Sequence, residues 1–315
     1  MRKFRFVCAV CMVIASACNK SEVITITVED HYRAATDSSS HVWSAVKEYT
    51  PAPGQFINET KTGGFTGEES TPADAVKYAE SRLKENKFVS LGGFGGCIVV
   101  GFDHSVDNTT GYDLAIRGNA FDGSSEPGIV WVSRDENGDG LANDVWYELA
   151  GSDTMAETTI RSYSVTYYRP EADGQPVKWI DSEGTEGEID YLAAYHKQPS
   201  YYPTWIGKDS YTLTGTRLEA RNYDKSGMGT MWIQPSYGWG YADNFSAEDY
   251  VEDDKTLNLF DIANAIDAEG KTAVLDYIDF VKVQTACNAK SGWLGEQSTE
   301  VMDFWDYGLM LKRNE

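Results

Sequence analysis

The sequence predicts an all-β protein, an antiparallel β-sandwich with one or two short peripheral helices. Three observations carry this. From Cys97 onward, short β-rich runs follow one another between turn signals. Strands and helices do not alternate regularly, which disfavours a doubly wound parallel sheet. No repeat of fixed period is visible, which argues against a propeller or a solenoid. At 315 residues with 41% apolar content, the chain is long enough for one sandwich with a sizeable core.

The first segment reads as an export signal. Arg2, Lys3 and Arg5 form a basic start, Phe6 to Ala15 is apolar, and Ala15, Ser16 and Ala17 precede Cys18. The apolar run is too short to span a bilayer as a helix. The arrangement resembles a bacterial lipobox, which implies cleavage after residue 17 and a lipid on Cys18. Residues 18–40 then form the anchor and a tether, with one alternating stretch from Val23 to Val28. Residues 41–315 form the sandwich domain.

One helix is well marked. Thr71 is its cap, Pro72 its first residue and Asp74 lies in its first turn. Ala75, Val76, Ala79 and Leu83 recur at helical spacing, and the helix should end near Asn86. Strands are expected at Cys97 to Phe102, Tyr112 to Gly118, Gly128 to Ser133, Val145 to Leu149, Tyr163 to Tyr168, Val177 to Ile180, Tyr211 to Leu218 and Tyr277 to Thr285. The last is the strongest, with Ile278, Phe280, Lys282 and Gln284 alternating with Tyr277, Asp279, Val281 and Val283. A second short helix is expected near Leu259 to Ile266.

Charge excludes some partners. The net charge is −22, and removing the basic signal makes the mature chain more acidic still. Such a surface repels phosphate backbones and anionic lipid heads, so nucleic acid is not expected as a partner and the membrane is met through the lipid alone. Cys8 and Cys11 leave with the signal. Cys97 and Cys287 then either pair, as an oxidising compartment permits, or stay as buried thiols.

The sharpest motif runs from Asp135 to Asp144, Asp-Glu-Asn-Gly-Asp-Gly-Leu-Ala-Asn-Asp. Calcium takes six to eight hard oxygens from a loop able to wrap around it. Asp135, Asn137 and Asp139 supply three, the Leu141 carbonyl a fourth, and Asp144 closes the set. Glu148 is a further candidate. Trp146 occupies the position where an EF-hand needs glutamate, so the loop looks instead like those of thrombospondin-type repeats. The expected role is structural. The competing reading is an acidic hairpin turn, because Asn-Gly and Asp-Gly are turn dipeptides.

Other patterns exclude more than they assign. Gly92-Gly93-Phe94-Gly95-Gly96 precedes a strand, not a helix, so it is read as close packing and not a phosphate loop. His31, His41, His104 and His196 form no metal spacing. Carboxylates are too numerous for sequence to name a glycosidase pair. Aromatics are more informative. Trp232, Tyr237, Trp239 and Tyr241 lie among glycines, with Tyr202 and Trp205 as a second wall. On loops they would make a stacking platform; the competing reading places them in the core. Asp243 and Asn244 follow as polar partners or as a second cation site.

Several segments together resemble a known group. They are Leu91 to Gly96, Gly101-Phe102-Asp103-His104, Tyr112-Asp113, Gly118-Asn119-Ala120-Phe121 and Glu126-Pro127-Gly128-Ile129-Val130. The acidic loop with Trp146 to Leu149, and Gly238 to Asp243, complete the set. The set resembles cell-surface lipoproteins of gut Bacteroidetes, sometimes bearing PKD-like domains. The resemblance implies a jelly roll related to galactose-binding-like domains. It also implies a place beside TonB-dependent outer-membrane transporters, notably those for cobalamin. A non-catalytic nutrient binder at the outer-membrane surface is therefore the leading expectation. A glycan-binding module is the first alternative and a glycosidase-like enzyme the second. Asp153-Thr154-Met155 also resembles the O-glycosylation motif of that phylum.

Overall fold

The computed structural model describes residues 30–314. The signal segment, Cys18 and the Val23 to Val28 stretch lie outside the described residues. The fold is an all-β antiparallel sandwich. A six-stranded sheet runs in the order Ala45–Thr50, Cys97–Asp107, Tyr277–Thr285, Gly128–Ser133, Trp146–Leu149, Ala265–Ile266. A four-stranded sheet holds Tyr250–Val251, Asp254–Phe260, Leu114–Arg117 and Asp303–Asp306. Another holds Ser210–Arg217, Ile160–Tyr168, Val177–Asp181 and Glu186–Ile189.

Register explains the layering. Val281 pairs with Val100 on one side and Val132 on the other, so all three point to one face. They share a hydrophobic core with Leu114, Ile116, Phe260 and Phe304 of the second sheet, and with Ala75, Ala79 and Leu83 of the helix Pro72–Lys84. That helix begins as its sequence dictates: the Thr71 hydroxyl accepts the Asp74 N–H at 3.2 Å. The third sheet builds a separate core from Tyr163, Val165, Tyr167 and Val177, closed by Phe94, Tyr201 and Tyr202.

One expectation is corrected. Leu259 to Ile266 is not a helix. Its first residues finish the strand Asp254–Phe260, and Asp261 then caps a single 3-10 turn, Ile262–Asn264. The second helix is instead Tyr307–Asn314 at the C-terminus. The strand Tyr277–Thr285 has its expected limits but is covered on both faces, because its sheet lies between other layers. Its opposite face carries Lys282, whose ammonium lies over the rings of Trp131 at 4.9 Å and Trp146 at 4.5 Å. Burial pulls that lysine's pKa below the usual value.

The glycines at 92–96 serve close packing, as expected from the strand that follows them. A Cβ on Gly96 would fall 1.8 Å from the Leu91 carbonyl oxygen and 2.5 Å from the Ala52 nitrogen.

Residues 30–40, the last of the expected tether, run along the main sheet. The Arg33 guanidinium donates to the Phe102 and His104 carbonyls and to Asp279, and the Arg313 guanidinium reaches the Thr36 carbonyl.

Candidate functional site

The acidic loop follows the strand Gly128–Ser133 and leads into Trp146–Leu149. Gly138 and Gly140 take left-handed backbone at φ 71° and 75°, which folds the chain back on itself. Polar side chains then bind backbone within the loop. Asp135 Oδ2 accepts the Gly140 N–H at 2.9 Å, Asn137 Oδ1 the Asp139 N–H at 2.8 Å, and Asp139 Oδ1 the Leu141 N–H at 2.8 Å. Asp144 Oδ2 accepts the Glu136 N–H at 3.2 Å. The Asn143 amide and the Leu141 N–H hold the Asp139 carboxyl below the usual range. Glu148 does not join the loop: it is buried and accepts the Thr216 hydroxyl.

A second acidic group gathers around Asp243, read from the sequence as a polar partner or second cation site, and its companions Glu126 and Glu300 were not anticipated. Ligand atoms of Glu126, Asp243 and Glu300 lie within 4.8 Å of one another, the one such set of three among the described residues. Asp243 Oδ1 accepts the Asn119 and Ala120 N–H groups at 2.8 and 2.9 Å, and Oδ2 accepts the Glu300 N–H at 2.9 Å. Glu126 Oε1 accepts from the Gln234 amide and the Ser298 N–H. Glu300 Oε1 accepts the Ser298 hydroxyl. Burial is the main cause that pushes Glu126 up to about 7 and Asp243 up to about 8, with their mutual repulsion adding to Asp243. Burial, then the charges of Glu126 and Asp243, drive Glu300 well above its ordinary value. Such a set can share protons or hold a divalent cation, and here it also ties three separate segments together.

Sequence gave one usable signal for this trio. Leu91 to Gly96, Gly118 to Ala120, Glu126 to Gly128 and Gly238 to Asp243 carried the family resemblance. All four meet around it: Ser298 Oγ, hydrogen-bonded to Glu300, also accepts the Gly92 N–H. Asp243 itself takes φ 52°, an unfavourable conformation for a residue with a side chain. Asn244, the other residue named as a polar partner, is fully buried and bridges the backbone of Tyr237.

The expected aromatic platform is not formed as one surface. Tyr237 and Tyr241 are buried in a small core with Ile129, Leu218 and Cys287, and Tyr202 lies in a different core. Their hydroxyls are used internally. Tyr237 donates to the Glu219 carbonyl, Tyr202 to the Lys208 carbonyl, and Tyr241 accepts the Asp153 N–H. Trp205 is half-buried against two cores. Trp239 and Trp232 remain half-exposed.

The exposed rings lie elsewhere. Trp293 is 43% exposed and Tyr195 57% exposed; their ring centroids are 5.8 Å apart. Trp232 lies beside them, its indole nitrogen 2.4 Å from where a Cβ on Gly292 would be. A groove of about 620 Å³ lies between the strands Val177–Asp181 and Glu186–Ile189 and the stretch 288–290, which precedes Trp293 in the chain. Lys178, Trp179, Glu188, Asn288 and Lys290 line it, and Lys290 pairs with Asp190 at 2.7 Å. A Cβ on Gly187 would fall 2.2 Å from Cζ2 of Trp179.

Cys97 and Cys287 are both free, buried thiols, and burial pushes each up to about 12. Cys97 neighbours Glu48 and Cys287 the Tyr237 hydroxyl. Thr154 of the expected glycosylation motif is buried and its hydroxyl accepts the Gly151 N–H, so it is not available to a glycosyltransferase in the folded protein. The lipid-bearing Cys18 lies outside the described residues. No described helix is long and apolar enough to cross a membrane. The chain matches no protein-family model, and no curated protein matches it.

Proposed function

We propose that the protein is a non-catalytic nutrient-binding lipoprotein, anchored at the outer-membrane surface through Cys18 and acting beside a TonB-dependent transporter. The observations that carry the binding role are the exposed pair Trp293 and Tyr195, with half-buried Trp232 next to Gly292, and the groove lined by Trp179. Wide, rigid rings on loops of a stiff sandwich suit a large ligand with flat or ring-shaped faces, at small cost in side-chain entropy. The family resemblance points to a corrinoid as that ligand.

A second reading, glycan binding, is favoured by the groove itself. Trp179 offers a ring face, and the lysine, glutamate and asparagine side chains around it match the hydroxyls of a sugar chain.

Calorimetric titration tests the reading. Cyanocobalamin and cobinamide form one panel; oligosaccharides of plant and host glycans form the other. Saturable binding in either, weakened in Trp293→Ala or Trp179→Ala, supports capture and names the ligand class. Turnover of a panel member, or binding indifferent to both substitutions, overturns it.

A further inference from the structure

We propose that the loop Asp135–Asp144 binds one calcium ion, and that the bound ion fixes the N-terminal segment 30–33 on the main sheet. This goes beyond ligand capture and does not depend on it.

The first part rests on one oxygen. Asp135 is 6% exposed, and its Oδ2 accepts the Gly140 N–H, so the carboxylate points across the loop interior. Its Oδ1 is enclosed and meets no hydrogen-bond donor. A buried carboxylate oxygen without a partner is costly, and a cation satisfies it directly. The neighbouring donors are those calcium prefers: the carboxylates of Asp139 and Asp144, the Asn137 amide oxygen and the Leu141 carbonyl. Asp135, Asp139 and Asp144 do not converge within 4.8 Å as a set, so ion binding must draw Asp139 and Asp144 inward from their backbone partners.

The second part rests on Asp279. This residue is fully buried and lies where the pairing of Tyr277–Thr285 with Cys97–Asp107 shifts register. Such irregularities re-aim a side chain. Its Oδ2 accepts the Asp135 N–H at 2.9 Å, at the start of the loop. Its Oδ1 accepts the Ser105 hydroxyl at 2.6 Å and the Arg33 guanidinium at 2.9 Å. One carboxylate thus joins the loop to the N-terminal segment. His31 closes the contact from the other side, its ring 2.4 Å from where a Cβ on Gly138 would stand. An ion that sets the positions of Asp135 and Gly138 sets the seat of Arg33 and His31 with them.

The test uses the mature chain. Calcium at about 100-fold above its Kd should raise Tm by about 5 °C over the chelated protein, because an ion bound by the folded state alone stabilises it. It should also slow tryptic cleavage after Arg33 several-fold. Asp135→Asn with Asp139→Asn should abolish both effects. Should that pair fail to fold, Asp139→Asn alone carries the test, since its side chain is exposed. Glu300→Gln, in the buried trio, should leave both effects in place. An unchanged wild-type Tm overturns the site, as does a calcium response that survives the loop variants and disappears in Glu300→Gln. A Tm shift with no protection of Arg33 overturns the coupling.

Discussion

Two stretches of this chain share a composition and end in opposite environments. Tyr237-Gly238-Trp239-Gly240-Tyr241 and Ser291-Gly292-Trp293-Leu294-Gly295 both set an aromatic ring between glycines. In the first, Trp239 itself stays half-exposed, but Gly240 meets the backbone of Gly151, its Cβ position 2.5 Å from that Cα, and the close approach buries the flanking tyrosines. In the second, Gly292 and Gly295 take φ 57° and 88° about a 3-10 turn, which leaves Trp293 open to solvent. Glycine beside an aromatic residue therefore marks a place where backbone comes close or turns. Which of the two happens decides whether the ring becomes core or surface.

The largest difference should appear on truncation of a ring. Tyr241→Ala should destabilise the fold by about 3 to 5 kcal/mol, the range for emptying a buried aromatic site. Chemical denaturation measures it, and a loss below about 1 kcal/mol would remove Tyr241 from the core. Asp243→Ala, at the end of the same stretch, should cost about 3 kcal/mol, because three backbone N–H groups, those of Ala120 and Glu300 buried, lose their acceptor.

The enclosed stretch should also respond to pH. Glu126 and Asp243 have pKa values raised by burial to about 7 and about 8. The folded state therefore keeps protons that the unfolded chain releases above about pH 4. This contribution to stability is present at low pH and is lost as pH rises through the folded values. Stability should fall between about pH 5 and 8 by this route, and Glu126→Gln should flatten the slope. The open loop at Asp139 has the opposite sign. Its carboxyl lies below the usual range, so its contribution, and calcium affinity with it, should weaken only as pH falls into the acid range.

The smallest effect on the fold belongs to the open stretch. Trp293→Ala should change stability by no more than about 0.5 kcal/mol, as exposed substitutions do.

Local chemistry made much of this fold legible. The limits of Gly128–Ser133 and Tyr277–Thr285, and the Thr71 cap with Pro72, follow from neighbours in sequence. What was hidden depends on distant partners. The alternation in Tyr277–Thr285 does not say what covers each face, and Lys282 is covered by two tryptophans from other strands. Glu126, Asp243 and Glu300 come from three separate segments, so no spacing rule could join them. The four segments around them were visible as a set, and of the trio only Asp243 was singled out, as a polar partner or second cation site. The aromatic site was misplaced for the same reason. Tyr237 and Tyr241 have the composition of a platform, and only packing against Cys287 and Gly151 removes them from the surface.

Ligand capture at the open corner is tested most directly by parallel titrations of Trp293→Ala and Tyr241→Phe. Tyr241→Phe keeps the buried ring and loses a hydroxyl that serves the Asp153 N–H. For whichever of cyanocobalamin or the oligosaccharides binds the wild type, Trp293→Ala should weaken binding by about 1 to 3 kcal/mol, while Tyr241→Phe binds as the wild type does. Wild-type affinity in Trp293→Ala, with binding lost in a folded Tyr241→Phe, would contradict the account and return the site to the enclosed stretch.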